Sequence, residues 1–370
     1  MNTVLTTASY VADFLSTVHL GPRQAAKQLT LWPLLREESA PGSAPFVLLP
    51  EALEAGWLTV DEVSDDGSVP HVRVVNRGAQ AVLVLFGEEL VGAKQNRVSN
   101  ASFLVPAEDE LVIEVSCVEQ GRWHRGHKAF ASSDHVASSF LRRKMASKVA
   151  ESRGRGGRFD ADQAEVWREV RGRLMASGTS SRSEAYADYR ESRSTDLEEL
   201  QAAFRPVASQ VGFVVALGET VEGIEVLAEP RAFEAAFPRL LSSYTIDAVD
   251  QGWLRAQEKE EPDAQAFDTP EAFLEALAKA PVREGPSLGA GSDLRIEGER
   301  VAGCALAEGA VVHLMAFPQQ RRRPGKPRGR SRRNRRDDQE SLAEDLLRDL
   351  GGERDQQDLF EPEGERRKRA

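Results

Sequence analysis

The chain has 370 residues, with 59 acidic and 48 basic side chains and a formal charge of −11. A hydrophobic share of 41% and a charged share of 29% describe an ordinary water-soluble chain with enough apolar material for a large core. The balance is against a dedicated basic nucleic-acid domain, and two cysteines, Cys117 and Cys304, are too few for a disulfide framework or a four-thiolate zinc site.

The first segment, MNTVLTTASYVADFLSTVHLG, lacks a positive start and an unbroken apolar stretch, so it reads poorly as a secretion signal. The longest apolar runs, Ala81–Phe86 and Val211–Leu217, are of strand size and far short of a membrane span. These features lead to the expectation of a cytoplasmic protein. From residue 28 to 117 the pattern is mainly β, with short runs at Gln28–Leu35, Trp57–Val63, His71–Asn76, Ala81–Phe86, Val98–Val105 and Leu111–Cys117. Breakers such as Asp66-Gly67 and Pro106 separate them. A short helix after Pro50 should stop at Gly56.

From residue 136 to 204 the period becomes helical, over Val136–Glu151, Asp160–Met175, Ser183–Arg190 and Ser194–Phe204. The intervening ESRGRGGR is expected to be a flexible basic linker. A β/α block fills 210–318: strands at Gln210–Leu217 and Val221–Ala228, a helix at Ala232–Asp250, a short helix at Glu271–Ala278, then strands at Asp293–Glu297, Arg300–Ala307 and Val311–Phe317. Blocks in this order, without regular strand–helix alternation, predict an α+β fold with antiparallel sheets and a central helical segment, as a single compact domain over 1–318.

Residues 319–370 form a low-complexity tail. The run 321–336 holds ten Lys or Arg and no acid, and 337–365 holds twelve acids. The tail sums to +4, which leaves −15 on residues 1–320. Such a composition cannot bury a core and predicts disorder. Leu342, Leu346 and Leu350 have the spacing of a marginal amphipathic segment suited to a partner. The basic run could contact nucleic acid or an acidic partner through charge alone.

Gly-Glu-x-x-x-Gly occurs at 87–92, 218–223 and 298–303, each between strand-like runs, so each is expected to be a hairpin turn. The first occurrence opens GEELVGAKQNR, where an apolar strand gives way to Lys94, Gln95, Asn96 and Arg97. This is either a polar pocket floor or a solvated hairpin tip. As a floor, Lys94 and Arg97 would hold anionic groups, Gln95 and Asn96 would bond amides or ribose hydroxyls, and Glu88 would move a proton.

A second candidate, SCVEQGRWH, places Cys117, Glu119, Arg122 and Trp123 at a strand end. Arg122 beside Trp123 could grip a phosphate while the indole stacks, with Glu119 as acid or base. Cys117 fits a buried core thiol as well as a binding-site residue, and Glu119–Arg122 also fits a structural ion pair. His124, His127 and His135 with Asp134 match no zinc-site spacing, and Arg125 and Lys128 would repel a cation, so no metal is expected. His313, flanked by apolar residues, reads as a core or edge histidine, and no cofactor motif is present to name a cofactor.

GEELVGAKQNR, SCVEQGRW, Gln163 with Trp167, QVGFVVALG and HLMAFP together resemble the ARG and rhodanese-phosphatase-associated protein domain family, a mainly bacterial family, over about residues 20–318. The positions that carry the likeness are Gly87, Glu88, Gly92, Lys94, Gln95, Asn96, Arg97, Cys117, Glu119, Gly121, Arg122 and Trp123. Expanding ARG as ADP-ribosylglycohydrolase, the resemblance implies a role near ADP-ribose, NAD or phosphorylated-nucleotide processing. It carries over no catalytic residue. The resulting expectation is a domain that binds or processes a phosphorylated nucleotide-like small molecule, the alternative being a non-enzymatic interaction module.

Overall fold

The computed structural model describes residues 9–36, 46–64, 70–122, 129–251, 254 and 266–319. Among them lie eight helices and eighteen strands in three sheets, and all but one strand pairing is antiparallel. The α+β expectation holds. The basic run 321–336 and the leucine segment 341–350 lie outside the described residues, as do Trp123, His124 and His127. Among the described residues no helix is long and apolar enough to cross a membrane.

The N-terminal elements are α1 (Ser9–Ser16), β1 (Val18–Leu20), β2 (Gln24–Ala26) and β3 (Leu29–Arg36). Next come β4 (Phe46–Leu48), α2 (Leu49–Glu54), β5 (Leu58–Glu62), β6 (His71–Asn76), β7 (Ala81–Val84), β8 (Glu88–Gly92), β9 (Arg97–Ser99), β10 (Phe103–Val105), β11 (Glu110–Cys117) and β12 (Phe130–Val136). The run expected as one strand over 98–105 is two. Asn100, Ala101 and Ser102 interrupt it, because the Asn100 and Ser102 side chains bond away from any ladder, to the Phe159 carbonyl and to His313.

The helical segment consists of α3 (Ser139–Gly156), α4 (Gln163–Ser177), α5 (Tyr186–Glu191) and α6 (Ser194–Gln201). The expected linker at 151–158 is mostly the last turns of α3, which ends where Gly157 takes a φ of 74° as a left-handed cap. Arg153 holds that end by pairing with Asp293 at 3.2 Å, a long-range partner with no local signature. The C-terminal block is β13 (Gln210–Leu217), β14 (Thr220–Leu227), α7 (Pro230–Val249), α8 (Pro270–Ala278), β15 (Val282–Pro286), β16 (Ser292–Glu297), β17 (Val301–Ala307) and β18 (Val311–Pro318).

Nine strands build the central sheet, in the order β1-β3-β13-β14-β18-β17-β16-β15 with β2 also on β3. On one face α7 lays Phe233, Phe237 and Tyr244 edge-on around Phe213 of β13. On the other face the side chains of α1 and α8, including Phe14, Phe273 and Leu277, pack on Val214, Ile224 and Leu314. Both faces are therefore covered, which is why these strands read as near-continuous apolar runs rather than alternating ones.

Six further strands, β12-β8-β9-β11-β6-β5, form a second sheet. A bridge between Asp61 and Ala129 joins its two edges and closes it into a small barrel. The registers place Val60, Val72, Ile113, Val115 and Leu90 on one shared face, and each is at most 2% exposed. The same face carries Glu62, Arg97 and Cys117 toward one end.

Two of the three Gly-Glu-x-x-x-Gly segments are hairpin turns, between β13 and β14 and between β16 and β17. The first is not. β7 pairs with β4 and β10 whereas β8 joins the barrel, so Gly87 turns the chain from one sheet into another.

Candidate functional site

Connections β5–β6, β8–β9 and β11–β12 follow alternate antiparallel strands, so they meet at one end of the barrel. Seven of the nine residues singled out from the sequence lie at this end. They are Lys94, Gln95, Asn96, Arg97, Cys117, Glu119 and Arg122. Trp123 follows in the same connection, outside the described residues. Glu88 does not join them. It sits at the opposite end of β8, where its carboxylate accepts from the Leu85 N–H at 2.9 Å and pairs with Arg239 of α7.

The turn 93–96 is a hairpin tip, but not a solvated one: Lys94, Gln95 and Asn96 are between 4% and 8% exposed. Burying that many polar groups is tolerable only if they are bonded. Arg122 does most of this. Its guanidinium donates to the carbonyls of Ala93 at 2.9 Å and Gly92 at 3.3 Å and to Asn96 Oδ1 at 3.1 Å. It also holds both oxygens of Glu119, at 2.9 and 2.7 Å. Ser183 Oγ and the Asn96 N–H donate to the same carboxylate, at 2.8 and 3.1 Å. Burial would raise the Glu119 pKa, but these donors outweigh it and hold the group below its ordinary value. Glu119 is thus a fixed anion with both oxygens engaged.

Beneath the turn, Arg97 is fully buried, donating to Gln95 Oε1 at 2.7 Å and to Cys117 Sγ at 2.6 Å, with Glu62 at 3.6 Å. Burial pushes the Cys117 thiol up to about 11, against the pull of Arg97. It stays protonated at neutral pH and is no ready nucleophile. Gln163 of α4 exchanges two hydrogen bonds with the Cys117 backbone, at 2.7 and 2.8 Å, and so continues the ladder where the strands end.

A family model described as the ARG and Rhodanese-Phosphatase-superfamily-associated Protein domain matches residues 17–317. The chain belongs to this family. Neither the curated proteins nor the solved structures gave a match. For this member of the family, the two motifs that carried the resemblance turn out to be the two walls of one bonded assembly at the barrel end.

Sequence reasoning missed the long-range partners, both of this assembly and of the acidic pair at the other end of β8. Glu62, Ser183, Arg190 and Arg239 lie 35, 64, 101 and 151 residues from Arg97, Glu119, Glu89 and Glu88, their respective partners. No local pattern announces such pairs. A second buried network was also invisible. Arg142 of α3 pairs with Glu225 of β14 and bonds Ser243 at 2.7 Å. Glu225 also accepts from Tyr244 at 3.0 Å and faces His313 at 3.6 Å, and His313 bonds Ser102 at 2.8 Å. His313 is therefore a core histidine.

Proposed function

We propose that the loop end of the barrel recognises a phosphorylated nucleotide-like small molecule, by binding rather than by acid–base chemistry at Glu88 or Glu119. The observation that carries this reading is the convergence of seven polar motif residues at one barrel mouth, a place where folds of this kind take ligands. Glu88 and Glu119 are each spent on an arginine and on a backbone N–H. Arg122, with 18% of its side chain exposed while its guanidinium holds the turn and Glu119, is the group this reading assigns to the phosphate. Arg97 and Cys117 then form the floor beneath. The family description adds an association with phosphatase-superfamily proteins, and the ADP-ribosylglycohydrolase expansion of its first word would make ADP-ribose the ligand to try first.

Binding to the native state alone stabilises it by RT ln(1 + L/Kd) at free ligand concentration L, so the melting temperature rises with the logarithm of ligand concentration once the site is filled. ADP-ribose, NAD and ADP are therefore expected to raise it in the full chain, and Arg122→Gln to remove the rise. A chain lacking residues 319–370 should respond as the full one does. No rise with any of the three at millimolar concentration overturns the reading. Nucleic-acid binding that disappears with the tail would favour the interaction-module alternative instead.

A further inference from the structure

Beyond the barrel mouth, several buried polar atoms have no hydrogen-bond partner among the described residues, and two of them lie on the paired strands β8 and β12. On β12 the pairing shifts between Ser132, opposite Leu90, and Val136, opposite Glu88, so four positions of one strand advance against two of the other. The bulge brings Ser133 and His135 beside Glu89. Bulges are a common device for re-aiming side chains at functional sites. Glu89 is 1% exposed, and one of its oxygens takes Ser133 Oγ at 2.9 Å and the Arg190 guanidinium. Its other oxygen, Oε1, has no hydrogen-bond partner among the described residues, and neither does His135 Nδ1.

A native fold leaves few such atoms, because each forfeits its bonds to water. Here two are left on paired strands, an acceptor on Glu89 and an imidazole nitrogen on the bulge opposite it. Burial and the charges of Arg190 and Arg239 press the His135 pKa down to about 4, so the ring is neutral at physiological pH and its nitrogens can donate or accept. Among the described side chains, the cluster sets Glu89 against Arg190 and Glu88 against Arg239, one to one. It therefore suits a neutral group that both donates and accepts, and hydroxyl is the common one. Ser132, Ser133 and His135 are half-buried, which puts the cluster one side chain below the surface.

The short helix α5 links this cluster to the barrel mouth. Just before it, Ala185 bridges Glu119, and the Tyr186 N–H bonds the Val118 carbonyl at 2.8 Å. Near its far end Arg190 pairs with Glu89. Four residues of helix separate the two contacts, roughly 6 Å of rise.

We propose that Glu89 and His135 form a subsite for the vicinal hydroxyls of a sugar, the counterpart of the phosphate site at Arg122. The assignment rests on the proposed function for its phosphate end but makes a separate claim about the sugar. Glu89 Oε1 accepts from one hydroxyl and His135 Nδ1 bonds the other, and a ligand without them leaves both protein atoms buried and unpaired.

Two measurements test this on the full chain. In the first, ADP and 2′,3′-dideoxy-ADP are titrated calorimetrically against the wild type, Glu89→Gln and Arg122→Gln. The expected result is that the wild type binds ADP at least about 10-fold tighter than the dideoxy compound, a gap of about 1.4 kcal/mol. Glu89→Gln should close that gap, and Arg122→Gln should weaken both ligands and pyrophosphate alike. In the second, D-ribose is added while the ring nitrogen resonances of His135 are followed, which reads the sugar subsite without any phosphate. A shift in the wild type supports the subsite. Equal affinity for the two nucleotides, or no His135 response to ribose, overturns it, and the wild-type comparison holds even if Glu89→Gln fails to fold. Failure of ADP and pyrophosphate to bind at all, with ribose still shifting His135, removes the phosphate reading and leaves the subsite standing.

Discussion

Replacing Gly87 with alanine should be among the most damaging single-methyl changes available to this chain, and Gly218→Ala supplies the control. Both glycines open the same Gly-Glu-x-x-x-Gly motif, and both have positive φ, 76° and 66°. Left-handed backbone costs an L-residue about 1–2 kcal/mol over glycine, so both variants lose at least that. Their surroundings differ. A Cβ on Gly218 meets nothing within 4 Å, whereas one on Gly87 would lie 2.5 Å from Arg142 Cδ and 2.8 Å from Cγ.

Arg142 is long and would normally swing aside, but its guanidinium is held by Glu225 and Ser243 in a fully buried position. Any retreat of the stem therefore loosens a buried ion pair, and breaking one costs about 3–5 kcal/mol. The expected loss is about 1–2 kcal/mol for Gly218→Ala and about 3–6 kcal/mol for Gly87→Ala, since the pair is strained rather than wholly lost. Urea unfolding followed by circular dichroism reads both, with the midpoint shift converted through a shared slope. Equal losses in the two variants would refute the steric argument and leave only the backbone term.

Glu225→Gln should cost about 3–5 kcal/mol, because Arg142 would keep its buried charge without a counter-ion; the same urea series measures it, and a loss under about 1 kcal/mol would count against the pairing. With its thiol pushed up to about 11, and that of Cys304 to about 12, neither cysteine should react with a thiol reagent at pH 8 until urea unfolds the chain. Rapid reaction of the native protein would contradict the burial of both. Glu119 has a folded-state pKa below its ordinary value of 4.5. Its contribution to stability is full above that value and falls away as pH drops through the lower folded-state pKa. Arg122→Gln should flatten this acid limb of the pH–stability profile, and an unchanged limb would mean that Arg122 does not hold Glu119.

The strands and helices with an internal period were legible in the sequence. β6 and β13 fall on the expected boundaries, and α7 differs by two residues at its start and one at its end. What failed to show was short or defined by its partner. β2, β4 and β15 have three to five residues each and take their identity from the strand beside them. β12 was hidden because its bulge interrupts the alternation that marks a strand. At the candidate site the sequence identified which residues were unusual but not why. Lys94 through Arg97 looked too polar for a strand end because the groups that bond them arrive from β5 and from β11 and the segment after it. Of the two readings, the solvated tip is excluded by burial: the turn is a tip, and Lys94, Gln95 and Asn96 in it are buried.

The central sheet sets an order on synthesis. All six barrel strands come from residues 58–136, so each finds its neighbour within a short stretch of chain. β3 is different: its main partner is β13, whose last residue is 217, and β14 in turn waits for β18, which ends at Pro318. Long-range antiparallel pairing of this kind is slow, and it keeps apolar strand edges exposed until the partner emerges. On the ribosome the barrel can close while β3, already beside β1 and β2, still lacks β13. Truncation before residue 313 removes every partner of β14 on that side, and the family boundary at residue 317 lies just past Ala316, the last residue of β18 that β14 pairs with.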